Sequence, residues 1–411
     1  MYQAGPCEVI VLDRVKEDAL AAARLDRMLR ALGTDRVLEM DERELDDLFR
    51  ERGWGQLSGR TGQFDLGQSP TIIFGTFRWL PPDERERLGT RFPALRRGVL
   101  LAEEPWTFRD HAHFRQSYGT VCQPAWEVHC AFGCLHACDY CHIPPYFVVM
   151  LNLEELAGKL REFGETIPDQ KLYKFDNYTD TLTLEPEYGA SEVMVSTFAD
   201  WPGKYLLLYT KSDNVGHLLG LRHNGHTLIS WSLSCDTVAG HIEKRTPSIA
   251  NRIEAIRRCQ EAGYGVRVRI SPICPVKNWR EEYRRMLDGL FAAASPEVMS
   301  IDVLGWMDAA QMIEALDVAL FDPAYAAAIA QRARDGVKTH GKHVFPHRMR
   351  ADLLRFVLEE IRRLRPGQPV SLCNETMEMW RELSPLLRAT PGRYACCCGP
   401  DSVPGHPLLR M

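Results

Sequence analysis

From about residue 125 onward, short runs rich in Leu, Val and Ile alternate with stretches whose apolar residues recur every three to four positions. No other feature limits so tightly what this chain can fold into. Lys171–Phe175, Tyr205–Thr210, Thr227–Leu233, Gly265–Ile270 and Val298–Leu304 read as strands. Leu153–Phe163, Glu187–Asp200, Val215–Leu221, Ser248–Ala262 and Trp279–Ala293 read as helices between them. Tyr205-Leu-Leu-Leu-Tyr-Thr210 is apolar almost throughout, as in a parallel strand covered on both faces. Such alternation implies α/β architecture, with parallel strands joined by right-handed helical crossovers. About six repeats suit a partial (β/α)6 barrel better than the full eightfold one.

The regions before and after the repeats read differently. Cys7–Leu12, Val37–Met40 and Thr71–Phe74 are strand patterns, and Glu17–Leu32 is a helix with Gly33 as its stop. A second helix runs to about Arg52, and residues 55–70, rich in Gly, Gln and Ser, read as a loop. The expected division is a small α/β module at 1–115, the barrel at 116–310 and a C-terminal helical extension at 311–411. That extension holds a helix Met349–Leu364, a strand Val370–Cys373 and a helix Glu375–Leu387, then an irregular stretch rich in Gly, Pro and Cys.

Charged residues are 26% of the 411 and the formal net charge is −5. A protein held to nucleic acid mainly by phosphate contacts usually shows a basic excess, and this chain has none overall. The pairs Arg257-Arg258 and Arg362-Arg363 sit in helical patterns, where a solvated face explains them. No apolar stretch reaches the ~18–20 residues that span a bilayer. The opening Met-Tyr-Gln-Ala-Gly-Pro lacks the basic and apolar regions of a secretory signal, so a cytoplasmic protein is expected. In that reducing setting the 13 cysteines need an explanation other than disulfides. Cys7, Cys235, Cys259 and Cys274 stand alone among apolar neighbours, as small buried hydrophobes do. The rest gather at 122–141 and 396–398, with Cys373 between.

Gly133-Cys-Leu-His-Ala-Cys-Asp-Tyr-Cys141 has the spacing C-x3-C-x2-C. Three thiolates on one short loop, from Cys134, Cys138 and Cys141, can ligate three irons of a 4Fe–4S cube and leave the fourth open to a chelating ligand. The competing reading is a zinc site that adds Cys130. Structural zinc usually takes paired C-x2-C knuckles, and only Cys138 and Cys141 form one here. A redox C-x-x-C would leave Cys134 unexplained.

At these residues the chain resembles the radical S-adenosylmethionine (SAM) superfamily. Tyr205–Lys211, His217–Thr227, Ser230–Ser234, Glu243–Pro247, Gly263–Pro272 and Leu372–Trp380 look like consecutive motifs of its spore photoproduct lyase family. The resemblance covers most of 118–385. It implies a partial barrel whose first strand leads into the cluster loop, a SAM molecule chelated by the open iron, and reductive release of a 5′-deoxyadenosyl radical. It places Tyr140 near the adenine, and Lys211, Ser232 and Ser234 among the groups that hold SAM. A flavodoxin- or ferredoxin-type protein is the implied electron donor.

Two departures stand out. Photoproduct lyases return a hydrogen atom from a cysteine just after the second barrel strand. Here that stretch is Phe175-Asp-Asn-Tyr-Thr-Asp180, with Asn177 and Tyr178 as the candidate catalytic residues. Second, Cys396-Cys397-Cys398-Gly399-Pro400 are hard to explain as core packing. They are expected to ligate a second iron–sulfur cluster, with Cys373, Cys122 or Cys130 as a further ligand; a disordered tail, a zinc site and a dithiol hydrogen donor are the competing readings. Together these favour modification of a nucleoside or nucleotide-like small molecule, with sulfur insertion as in antibiotic biosynthesis the expected reaction. The alternative is DNA thymine-dimer repair, the one case in which nucleic acid is the partner.

Overall fold

The computed structural model describes residues 1–4, 7–54, 71–95, 105–141, 146–338, 343–400 and 402–409; the loop expected at 55–70 lies outside them. Local chemistry sets the first elements. Asp18 accepts the amide hydrogens of Leu20 and Ala21 to start the helix Ala19–Leu32, and Gly33 ends it in the left-handed conformation. Asp41 and Glu44 form a reciprocal capping box at the head of the helix Glu42–Glu51. Strands β1 (Glu8–Leu12), β2 (Val37–Met40) and β3 (Thr71–Gly75) run parallel, with β1 in the middle.

Six short strands follow: β4 (Trp106–Arg109), β5 (Thr120–Val121), β6 (Ala125–Val128), β7 (Ala131–Phe132), β8 (Ala137–Cys138) and β9 (Tyr146–Met150). The crossover helices Leu153–Thr166, Ala190–Ala199, Ile249–Glu261 and Trp279–Ala293 then separate the larger strands. These are β10 (Leu172–Phe175), β11 (Tyr205–Thr210), β12 (Thr227–Leu233), β14 (Gly265–Ile273) and β15 (Met299–Val303), with the short β13 (Glu243–Lys244) between β12 and β14. After the helix His347–Leu364 come β16 (Val370–Leu372), β17 (Glu375–Thr376) and the helix Met377–Leu387.

The main sheet has eight strands in the order β16-β15-β14-β12-β11-β10-β6-β4. Seven are parallel and follow the sequence order, and β4 lies antiparallel on β6 at the edge. This is the strand order of a barrel wall, and among the described residues β16 and β4 do not pair with each other. The six expected strands are therefore joined by a seventh, because Val370–Leu372 pairs with Met299–Ile301 instead of standing apart in the extension. The second sheet, β2-β1-β3-β9-β7, draws strands from both sides of residue 115, since Tyr146–Met150 runs parallel to Thr71–Gly75. Val215–Leu221 forms turns rather than the expected helix. Gly216 and Gly220 explain this, each costing a helix about 1 kcal/mol relative to alanine.

The chain thus leaves the main sheet at β6 and enters the second sheet at β7. The cysteine loop lies between β7 and β9, held at both ends.

Candidate active site

The loop begins at Gly133, whose φ is 116°. A Cβ there would sit 2.7 Å from the carbonyl oxygen of Tyr146, so only glycine fits. Cys134 and Cys138 are buried and Cys141 is partly exposed. Midway, β8 pairs antiparallel with β13, placing Cys138 opposite Glu243. His136 adds a third tie, its Nδ1 lying 2.8 Å from the carbonyl oxygen of Arg245.

Glu243 is the hub beneath this loop. Its carboxylate accepts hydrogen bonds from the Tyr140 hydroxyl and, at 3.0 Å, from Ser234 Oγ. Arg252 Nη1 lies 2.7 Å from the same carboxylate. Burial opposes its ionisation, but Arg252 and Lys211 hold its pKa down to about 2. Lys211 Nζ stands 5.6 Å from the centre of the Tyr140 ring. Desolvation works against the ammonium, yet Cys138 and Glu243 keep its pKa above the usual lysine value. The backbone N–H of Lys211 donates to Asp180 Oδ2 at 2.6 Å. Ser232 is buried one strand away, in register with Arg269.

The Cys134, Cys138 and Cys141 thiols lie within electrostatic reach of one another, and desolvation, first among the causes, raises Cys134 and Cys138. Among the described residues no three His, Cys, Asp or Glu groups meet at the spacing one metal ion requires. Cys130 also points elsewhere, packed in the apolar core. Three soft thiolate donors on one loop fit a polynuclear iron–sulfur cluster, and Cys130 does not stand with them as a fourth ligand. The neighbouring cation Lys211 and aromatic Tyr140 fit a carboxylate and an adenine beside it.

The segment after β10 faces the same loop. The Gly133 amide donates to the Tyr178 carbonyl at 3.0 Å. Tyr178 stacks on His129 with ring centres 4.1 Å apart, and His129 Nδ1 lies 2.6 Å from Asp176 Oδ1. Burial first, then the charges of Glu127 and Asp176, raise the Tyr178 phenol. Asn177 Oδ1 is buried with no hydrogen-bond partner among the described residues.

The cysteine tail splits in two. Cys396 Sγ lies 3.2 Å from Gln123 Oε1, and Cys398 Sγ accepts from Arg109 at 3.5 Å. Cys397 turns away, its thiol 3.5 Å from the carbonyl of Val268 and 3.7 Å from that of Val298. The Arg267 guanidinium grips the carbonyls of Cys397 (2.8 Å) and Ser402. The tail is thus ordered against the inner face of the sheet, and the disordered reading fails at Cys396–Cys398.

A family model described as spore photoproduct lyase matches residues 116–304. The spore photoproduct lyase of Clostridium acetobutylicum is 27% identical over 176 residues, 41% of this chain and 52% of that protein. That of Bacillus subtilis is 27% identical over 175 residues, 41% of this chain and 51% of that protein. The chain resembles the spore photoproduct lyases of the radical SAM superfamily. It spans about half the length of these curated relatives in the matched region. A solved spore photoproduct lyase complexed with dinucleoside spore photoproduct is 18% identical, covers 90% of this chain and 98% of its own, and superposes with a TM-score of 0.60. A double mutant of that enzyme with bound AdoMet and the same dinucleoside superposes equally, at 0.60 and 18% identity over 90% of this chain and 99% of its own. These establish the mixed α/β lyase fold. The relatives' names back the photoproduct alternative better than sulfur insertion or antibiotic biosynthesis, neither of which they support.

For several residues of this site the sequence gave no local signal of the role they play. Glu243, Arg252, His129 and Asp176 acquire their roles only through strand pairing. Inside the sheet, Glu127 Oε1 meets Lys174 Nζ and Arg109 Nε, each at 2.8 Å. Among the described residues no helix is long and apolar enough to cross a membrane.

Proposed function

We propose that this chain is a radical SAM enzyme of the photoproduct lyase type, acting on a nucleoside- or nucleotide-like substrate. The observation that carries the reading is the cysteine loop bolted to Glu243, with Lys211 and Tyr140 beside Cys138. When bound at Cys134, Cys138 and Cys141, the cluster supplies the electron that breaks a sulfonium S–C bond of SAM. The protein's own part is orientation. Lys211 pairs with the SAM carboxylate, Tyr140 lies against the adenine, and the Ser232–Ser234 strand end completes that wall. Ser234 acts through Glu243, which accepts its hydroxyl. Asn177 offers an unpartnered acceptor toward substrate, and Tyr178 keeps its phenolic proton at neutral pH because burial raises it. Electrons come from a flavodoxin- or ferredoxin-type donor.

The test is label transfer. Reduced enzyme with SAM and a deuterated dinucleoside spore photoproduct is expected to place deuterium in 5′-deoxyadenosine. Transfer from a mononucleoside but not from the photoproduct would move the substrate to the small-molecule class.

One observation keeps a second reading, sulfur insertion that draws on a second iron–sulfur cluster at the C-terminal cysteines. Cys396 and Cys398 both turn toward the sheet interior, beside Gln123 and Arg109. A product that carries a new C–S bond would favour it.

A further inference from the structure

We propose that Cys122, Cys373, Cys396 and Cys398 form a second, four-thiolate iron–sulfur site on the inner face of the sheet, and that Cys397 is not part of it. The proposal takes from the second reading above the cluster alone, without its sulfur-insertion role, and gives that cluster its ligands.

Topology brings the segments that carry the first two cysteines side by side. β17 pairs antiparallel with β5, with Glu375 opposite Val121. Cys122 follows β5 directly, and Cys373 stands two residues before β17, its amide donating to the Ile301 carbonyl at 2.8 Å. The tail supplies the other two. Gln123, next to Cys122, donates through Nε2 to the Tyr394 carbonyl at 3.0 Å, while its Oε1 faces Cys396 Sγ at 3.2 Å. The Gln123 side-chain amide packs directly over Gly399. All four thiols act electrostatically on the Tyr394 phenol.

The surroundings are built for negative charge. Arg109 reaches Cys398 Sγ at 3.5 Å and Arg269 reaches Cys373 Sγ at 3.9 Å. Lys174 and Arg269 both lie over the Tyr209 ring, at 4.4 and 5.1 Å. Glu127 faces these three cations, and Ser271 Oγ links Asp302 to Arg269. Burying such a cationic group is costly unless anions complete it, and a thiolate-ligated cluster is anionic. Cys397 lies outside, its thiol on two backbone carbonyls and its amide donating to Ser300 Oγ at 3.1 Å. Four protein thiolates close a cube, so this site offers a substrate no open iron, unlike the three-cysteine loop. That weighs against its serving as a sulfur donor.

The test counts iron and sulfide in anaerobically reconstituted full-length protein. Two cubes require about eight irons per chain, and the C134A/C138A/C141A variant should keep about four. The C122A/C373A variant should also fall to about four, whereas Cys397→Ala should keep about eight. The triple variant leaves every proposed ligand intact, so it decides the matter even if C122A/C373A fails to fold. No iron in the triple variant, zinc in place of iron, or equal loss from Cys397→Ala and Cys398→Ala overturns the proposal. Wild-type protein with about eight irons that fails to cleave SAM would fault the first-site reading and leave this one standing.

Discussion

Arg252 Nη1 lies 2.7 Å from Glu243 Oε2, and both side chains are sealed from solvent. This pair holds the strand opposite Cys138 and, through Glu243, the Tyr140 hydroxyl. Removing one partner of a buried pair leaves an uncompensated charge and costs about 3–5 kcal/mol. Arg252→Met should therefore lower the unfolding free energy of the apoprotein, measured by denaturant titration, by that amount and speed iron loss from the reconstituted protein. A change below about 1 kcal/mol, the range of an exposed pair, would contradict the role given to Glu243.

Lys211 stands beside both Tyr140 and the cysteine loop. A hydrogen bond to a charged group is worth roughly 1.5–3 kcal/mol, so Lys211→Ala should weaken SAM binding about ten- to a hundredfold. Equilibrium binding to the reconstituted variant checks this, with its iron content unchanged. An unaltered affinity would mean that Lys211 faces something other than SAM.

Much of this arrangement is legible in the sequence, for local reasons. The helix starting at Ser248 shows its cap and period, and the C-x3-C-x2-C loop states its own chemistry. What is not legible depends on long-range pairing. Tyr146-Phe-Val-Val-Met150 is an apolar run that does not announce its partner, Thr71–Gly75. Arg267 and Arg269 alternate with Val and Ile along their strand, and nothing local shows that Arg267 meets the C-terminal tail and Arg269 meets Cys373. Cys396, Cys397 and Cys398 look equivalent until a turn sends Cys397 to the opposite side. The chain segments that carry Cys122 and Cys373 come side by side only because β5 pairs with β17.

Glu185 provides a pH test outside the proposed cluster ligands. It accepts the amide hydrogens of Gly189 and Ser191, both at 2.8 Å, and burial pushes its pKa up to about 7 against those donors. An unfolded glutamate titrates near ~4.3. The folded state therefore favours the protonated form, and the stabilisation is full below about 4.3 and lost as pH rises through about 7. Denaturant midpoints measured from pH 5 to 8 should decline in the wild type more than in Glu185→Gln, which carries no titrating proton there. Parallel profiles for the two proteins would show that Glu185 is ionised throughout.

The central claim is that Cys134, Cys138 and Cys141 hold the cluster that cleaves SAM. It is tested most directly by incubating reduced, reconstituted protein with SAM alone and quantifying 5′-deoxyadenosine and methionine. Equal amounts of both are expected from the wild type, and none above background from Cys134→Ala, Cys138→Ala or Cys141→Ala. Undiminished 5′-deoxyadenosine from any one of the three variants would contradict the account.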